Sequence, residues 1–460
     1  MLMVREKDFY RQLLRLTMPL ALQNVITYSV GLADNIMVGR LGELALSGTY
    51  VSNQLQNLLH MLVMGLSAAM LVLGAQFWGK RDVVGVKSVV AIALKFGFAA
   101  GLLLFIVTLL TPSGVLSLFT DDAAVKTEAM RYFTIIRYTY VFFCVTQVLI
   151  ASMRCVETVR IGMYLSLMTF SVNVSLNYIL IFGKLGAPAL GLRGAAIATL
   201  VARVLEAVIM VAYVRLIDKK LMLRLRDILR GGRDLLGRFF RYGFPVILGD
   251  IFWGINLAVQ GAIMGRMGAT ALASVSIANV IFSIMGVAGY GTAGATAIIV
   301  GKTVGSGDIT RLRAYVKTLQ VIFVIIGVIS GIAIYATRFL VPLIYDLEPE
   351  TLAMVRSFIL VLAIMIVGTA YQMSSLTGIV RAGGATHFVL VNDLIHIWGF
   401  VIPAASLAAF VFHASPVVVF ALLKSDQLLK CIVAAIKVNR FRWVRNLTED
   451  KQQPVKVAAG

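Results

Sequence analysis

The sequence predicts an all-α membrane protein of twelve transmembrane helices, set out as two pseudo-symmetric six-helix bundles with a central cavity. Three observations predict it. Of 460 residues, 59% are hydrophobic and only 14% charged, with a mean hydropathy of +0.89, far more apolar than a soluble domain, which is about a quarter charged. Long apolar runs, such as 96–110, 139–153, 319–336 and 358–373, recur along the whole chain between charged or Gly- and Pro-containing connections. The third observation is a repeat: the 226 residues that separate Pro19 from Pro245 also separate Gly39-Arg40 from Gly265-Arg266, Ala45-Leu46 from Ala271-Leu272, Asn53 from Asn279, Gly65 from Gly291, Gly79 from Gly305 and Asp82 from Asp308. Chance does not hold one register over sixty residues.

Spans are read at 13–38, 46–76, 88–110, 129–152, 162–183, 193–214, 240–264, 271–300, 314–336, 352–379, 388–411 and 415–437. They divide the chain into an N-terminal six-helix bundle (1–214), a basic cytoplasmic linker (215–239), a C-terminal six-helix bundle (240–437) and a cytoplasmic tail (438–460). Because each half has an even number of spans, both enter the bilayer from the same side. The halves should then be related by an axis along the membrane normal.

The formal charge of +20 excludes a nucleic-acid reading once its distribution is considered. Lys and Arg gather in every second connection: the N-terminus, 80–87, 154–160, 215–241, 302–317, Arg381 and the tail from Lys437. The intervening connections are short or acidic, with Asp121, Asp122 and Glu128 in one and Asp346, Glu348 and Glu350 in another. This is the positive-inside pattern, so both termini are expected in the cytoplasm; the protein is further expected in the inner (plasma) membrane, as a multi-pass monomer among lipids. The basic start, Arg5 to Arg15, closes on no small-residue cleavage site and reads as the lead into the first helix. The linker reads as a topology-fixing basic loop, with an amphipathic strip on the inner leaflet as the alternative. Cys144, Cys155 and Cys431 have no metal-ligand spacing and are expected to be reduced.

Certain stretches resemble the multidrug and toxic compound extrusion (MATE) family. Leu32-Ala-Asp34-Asn-Ile-Met-Val-Gly39-Arg40-Leu-Gly42 is similar to that family's first helix and loop. Asn173-x-x-x-Asn177-Tyr178 with Gly194-Ala-Ala-Ile-Ala-Thr199 resembles its fifth and sixth helices, and Arg442-Trp443 its C-terminal ending. The resemblance implies a V-shaped pair of six-helix bundles that exports organic cations and amphipathic toxins in exchange for Na⁺ or H⁺, with no other cofactor.

An ionisable residue inside a bilayer costs about 2.5–3.5 kcal/mol on insertion scales, so each calls for a reason. Counting 1.5 Å per residue from the outer ends of the spans, Asp34 lies about 6 Å deep, Asn177 and Thr199 about 9 Å, and Asn173 about 15 Å. Asn173 and Asn177, four apart, share a helix face. A carboxylate, amide carbonyls and a hydroxyl are hard oxygen donors for a small cation such as Na⁺, and the same carboxylate can take a proton instead. Interhelical hydrogen bonding is the competing use of such groups. In the repeat Asp34 is replaced by Gln260, so the cation site belongs to the N-terminal half alone.

Asp250 lies near mid-membrane, five residues after Pro245, and either contacts a cationic substrate or caps a Pro-kinked turn. Some MATE proteins carry an acid further along this helix, where Trp253 stands here. Asp393 and His396, spaced i to i+3, are expected side by side as a proton relay or as a structural pair facing Arg381. Glu206 with Arg203, and Lys424, Asp426 and Lys430 on the last span, read as salt-bridged or snorkelling groups. Pro19, inside the first span, removes a backbone donor and is expected to act as a hinge. With 19 Met, 25 Phe and 15 Tyr, the chain has adaptable side chains suited to a promiscuous cavity, though most will pack or face lipid.

The expected function is an efflux antiporter working by alternating access, with small organic cations or amphipathic toxins as cargo. A lipid-linked oligosaccharide flippase of the same superfamily is one alternative. A membrane-embedded enzyme is the other, and it finds no P-loop, no His-Glu-x-x-His and no convergent catalytic cluster in this sequence.

Overall fold

A computed structural model of the chain describes residues 4–344 and 347–449. Asp346, part of the acidic connection noted above, and residues 450–460 of the expected tail lie outside them. Among the described residues the chain is a succession of long helices. The first three are α1 (Lys7–Gly39), α2 (Glu43–Gly79) and α3 (Val83–Leu110); α4 is bent by 54° between Ala123–Ile136 and Thr139–Cys155. Then come α5 (Arg160–Phe182) and α6 (Leu192–Ile217), followed across the linker by α7 (Leu236–Arg266). Helix α8 is bent by 46° between Ala269–Met285 and Val287–Gly305, and α9 (Ile309–Thr337), α10 (Pro349–Arg381) and α11 (Thr386–Phe410) succeed it. Helix α12 breaks at Ser425 into Pro416–Lys424 and Asp426–Asn439.

Eight of these pass as membrane spans by length and apolarity alone, and the bent pairs α4 and α8 pass when each is taken as one. The other two have identifiable reasons for failing. Helix α1 has a charge-free stretch at 16–33, but Gln23, Asn24, Thr27 and Ser29 lower its apolarity, and α12 is split into pieces of 9 and 14 residues.

By contact the chain forms two compact units. One comprises 22–74 and 83–240; the other comprises 1–21, 75–82 and 241–460. The boundary on α1 falls at Ala21 and Leu22, two residues after Pro19.

Within each unit the packing follows the repeat. Gly101 of α3 faces α4, where a Cβ would sit 3.1 Å from the Cα of Val141; Gly327 of α9 faces α10, where a Cβ would sit 2.9 Å from the Cα of Val367. Both the glycines and the valines are 226 residues apart. Small residues let membrane helices approach backbone to backbone, where apolar burial against lipid gives little drive. Each half also ties its first helix to its fourth. Arg154 Nη2 donates to Gln23 Oε1 at 3.0 Å, and Arg381 Nη1 to Asp250 Oδ1 at 3.1 Å.

The second of the two units contains the end of α2 as well as α8, and here the repeat meets itself. A Cβ on Gly79 would run into the backbone carbonyl of Lys302, one on Gly305 into that of Gln76, and one on Gly301 would meet the Cβ of Ala75. The same 226-residue offset relates 76 to 302, 79 to 305 and 75 to 301. Residue i touches j′ while j touches i′, the signature of a two-fold contact. Buried Gln76 locks this crossing: its Nε2 donates to the Ala382 carbonyl at 3.0 Å and its Oε1 accepts from the Leu447 amide at 2.8 Å. The motif Arg442-Trp443 follows α12 and folds back here, with Trp443 fully buried over Gly383.

The linker packs as well. Lys87 of α3 pairs with Asp227 at 2.9 Å, Lys95 donates to the carbonyls of Leu229 and Gly231, and Leu221 and Leu223 are buried.

Since neither neighbour at the α2–α8 crossing is a flexible side-chain end, Gly79→Ala and Gly305→Ala should each cost about 1–3 kcal/mol through overpacking. Gly237→Ala, where a Cβ meets open space, should be neutral. Melting temperatures of the purified variants in detergent check this, and equal values for all three would refute the close crossing.

Candidate functional site

Helix α5 is the platform of the site. Its Asn173 and Asn177 lie on one face, 2% and 1% exposed. The turn into α6 is tight because Gly194 sits against the backbone of Leu180, which brings Thr199 alongside α5. The result is a continuous chain of hydrogen bonds. Asn177 Nδ2 donates to Asp34 Oδ1 at 2.5 Å and to Asn173 Oδ1 at 3.2 Å; Asn173 Nδ2 donates to Thr199 Oγ1 at 3.3 Å, and Thr199 Oγ1 to the Ala195 carbonyl at 3.1 Å. The four residues read from the sequence as a cation site are therefore joined on three helices, all within one compact unit.

The electrostatics of this cluster follow from its neighbours. The cation next to it is Arg203, one turn beyond Thr199 on α6, and its guanidinium is committed to Glu206 at 2.8 Å, with Glu206 buried. Among the described residues no Lys, Arg or His nitrogen lies within 4 Å of Asp34. Asn177 Oδ1 is buried without a hydrogen-bond partner. A carboxylate with no counter-ion and an unused amide oxygen beside it form an acceptor-rich pocket. An added cation would draw on the Asp34, Asn173 and Asn177 oxygens and the Thr199 hydroxyl, and an added proton would turn Asp34 from acceptor to donor.

Sequence reasoning missed Tyr132 of α4, a buried phenol beside Thr199 and Asn53. It also missed that the charge of Arg203 acts on Asp34 from the neighbouring helix. Neither had a local signal: an aromatic in a bent span and an Arg three residues before a Glu read as packing and as a salt bridge.

The C-terminal candidates are arranged differently from expectation. Arg381 pairs with Asp250, so Asp250 is ion-paired, and its second carboxylate oxygen is buried without a partner. Asp393 and His396 do not form the side-by-side pair that i to i+3 spacing led us to expect. Asp393 pairs with Lys430 at 2.7 Å, and His396 Nδ1 contacts the Asn392 carbonyl at 2.8 Å. The reason is local: 394–401 winds as a π-helix, whose wider turn rotates the i+3 side chain off the face an α-helix would give it. Lys430 also pairs with Asp426 at 3.2 Å, and both Asp426 oxygens accept from Gln427. Pro19 lies inside an unbroken α1.

Comparison with known proteins agrees with the two-fold construction. The MatE family model matches the chain twice, over 19–179 and over 245–407. Probable multidrug resistance protein NorM of Thermotoga maritima is 24% identical over 401 residues, 86% of this chain and 85% of that protein. Multidrug resistance protein MdtK of Edwardsiella ictaluri is 24% identical over 418 residues, 88% of this chain and 89% of that one. Among solved structures, the Vibrio cholerae MATE transporter VcmN superposes with a TM-score of 0.86 at 17% identity, covering 96% of this chain and 99% of that one. An outward-facing multidrug resistance MATE family transporter of the MOP superfamily gives 0.83 at 20% identity, over 95% and 96%. With both halves matched, the chain belongs to the MatE family of multi-pass membrane transporters.

Proposed function

We propose that this transporter exports cationic or amphipathic small molecules by alternating access, in exchange for Na⁺ or H⁺ taken up at Asp34. One observation carries the reading: an intramembrane carboxylate without a counter-ion, hydrogen-bonded to Asn177, beside an amide oxygen that has no donor. Such a group is costly when bare and much less so when neutralised. Its occupancy therefore changes the relative stability of any two conformations that solvate it differently, and differential stability is what coupling requires. An electrogenic exchange then draws about 2.3 kcal/mol per charge from each 100 mV of membrane potential.

Pro19 supplies the mechanical link. It removes a backbone hydrogen bond two residues before α1 passes from one compact unit to the other, where a change of bend would be transmitted along the helix that carries Asp34. Pro19→Ala should fold and reach the membrane but lose most concentrative efflux. Wild-type efflux by a well-expressed Pro19→Ala protein would leave Pro19 and Pro245 as structural kinks of the repeat.

Orientation follows from charge, with both termini in the cytoplasm of the inner membrane. A cysteine at exposed Asp121 should react with an impermeant maleimide applied to intact cells. One at exposed Arg233 in the linker should react only after lysis, in a background with Cys431 replaced by Ala. The opposite pattern would invert the topology.

Asn for Asp at position 34 keeps the shape and most hydrogen bonds while deleting the charge. In everted vesicles, Asp34→Asn should reduce dye accumulation driven by an ion gradient to the level of vesicles without the protein, with dye binding still measurable. Uphill transport at the wild-type rate and with the same ion dependence would place coupling elsewhere.

A further inference from the structure

The repeat offers a direct comparison between the Asp34 site and its counterpart in the other half, and the two have opposite polarity. Gln260 of α7 stands 226 residues after Asp34. Asp34 meets an amide of α5, whereas Gln260 meets the last helix of its half through an ammonium: Lys424 Nζ donates to Gln260 Oε1 at 2.9 Å. Gln260 is held in that orientation by its other end, with Nε2 donating to Oδ1 of buried Asn256 at 3.1 Å. One half presents a carboxylate without a cation. The other presents a cation without a carboxylate.

We infer that Lys424, oriented by Gln260 and Asn256, is a binding site for a carboxylate carried by the transported molecule, an inference that rests on the reading of this chain as an exporter of small amphipathic molecules. Lys424 is half-buried within a spanning helix, and among the described residues no carboxylate lies within 4 Å of its Nζ. Asp426, two residues along, is already committed to Lys430 and Gln427. Besides Gln260, the contact that Lys424 makes is with the ring of Phe420, whose centroid is 5.6 Å from Nζ. An ammonium has three N–H donors, and in apolar surroundings an amide oxygen and a ring face are weaker partners for it than an anion.

The chemistry of the site narrows the ligand. A single ammonium with no Arg fork beside it suits one negative charge, not a phosphate dianion. Lys430, six residues on, shows the contrast: it is buried between two carboxylates, Asp393 and Asp426, which already compensate its charge. The favoured cargo is therefore an amphipathic cation that also bears a carboxylate, and Lys424 should discriminate such a molecule from its ester.

Rhodamine B and its ethyl ester share one xanthylium cation and differ in the free carboxylate, which makes them the probe. Fluorescence polarisation with the purified full chain should show the acid binding about tenfold more tightly than the ester. Lys424→Met should remove that preference by weakening the acid alone, and Lys424→Arg should keep it. Ester binding at wild-type strength serves as the folding control within the same variant. If Lys424→Met does not fold, Gln260→Met, which frees the ammonium from its tether, should shrink the preference. A wild type that binds acid and ester alike, or a folded Lys424→Met or Gln260→Met that keeps the wild-type ratio, overturns the site. Ion-driven efflux of the ester with no preference for the acid would overturn this site and leave the export reading standing. A wild type that neither binds nor moves either dye overturns both.

Discussion

Everything distinctive about this chain follows from holding the Asp34 carboxylate inside a membrane helix against Asn177 at 2.5 Å, with no cation among the described residues paired to it. Left alone, such a group costs a few kcal/mol, and the surrounding architecture can be understood as what makes it tolerable. Asn177 and Asn173 sit one turn apart on α5, so a single helix face supplies two amides. Gly194, pressed against the Leu180 backbone, lets α6 come close enough for Thr199 to extend the chain of hydrogen bonds. Glu206 takes up the charge of Arg203, one turn beyond Thr199 on the same helix. The carboxylate is thus stabilised by dipoles and not by a paired cation among the described residues.

The two halves repeat the scaffold and vary the chemistry. Gly101 against Val141 and Gly327 against Val367 are the same close approach made twice, and the Gly79–Lys302 and Gly305–Gln76 contacts put the two-fold relation into a single crossing. Packing of this kind depends on backbone shape and small residues, so it is what a duplicated fold must keep. Polar positions are freer. Gln23 on Arg154 is a neutral acceptor, whereas Asp250 on Arg381 is an ion pair. Asp34 in one half is Gln260 in the other, and there buried Lys430 is paired with buried Asp426 and with the partly exposed Asp393. Duplication followed by such divergence yields one acceptor-rich site and one donor-bearing one.

Much of this was legible in the sequence because two strong regularities, hydrophobic length and a constant repeat offset, act over the whole chain. They fixed the number and order of helices, including α1 and α12, which hydropathy alone would have passed over. Depth counted along ideal helices placed Asp34, Asn173, Asn177 and Thr199 within about 9 Å of one another along the membrane normal, and hydrogen bonds join the same four residues. The same counting failed for Asp393 and His396, since the π-helix at 394–401 breaks the 3.6-residue period on which i to i+3 adjacency rests. It also had no means of finding partners across helices. That Arg381 belongs to Asp250 and Asp393 to Lys430, or that Tyr132 reaches Thr199, depends on the azimuth of each helix in its bundle. Trp443 was legible as a motif; that it folds back over Gly383 was not, because the space it fills is made by a glycine sixty residues earlier.

The central claim is that the Asp34 cluster binds an exchangeable cation, and occupancy can be measured without transport. Purified protein in weakly buffered detergent solution should take up ²²Na⁺, or release protons when Na⁺ or a cationic dye is added, with a stoichiometry near one per chain. Asp34→Asn should lose this while melting like the wild type. Cation uptake or proton release of equal size in Asp34→Asn would contradict the account and move the exchangeable charge to the ion pairs of the C-terminal half.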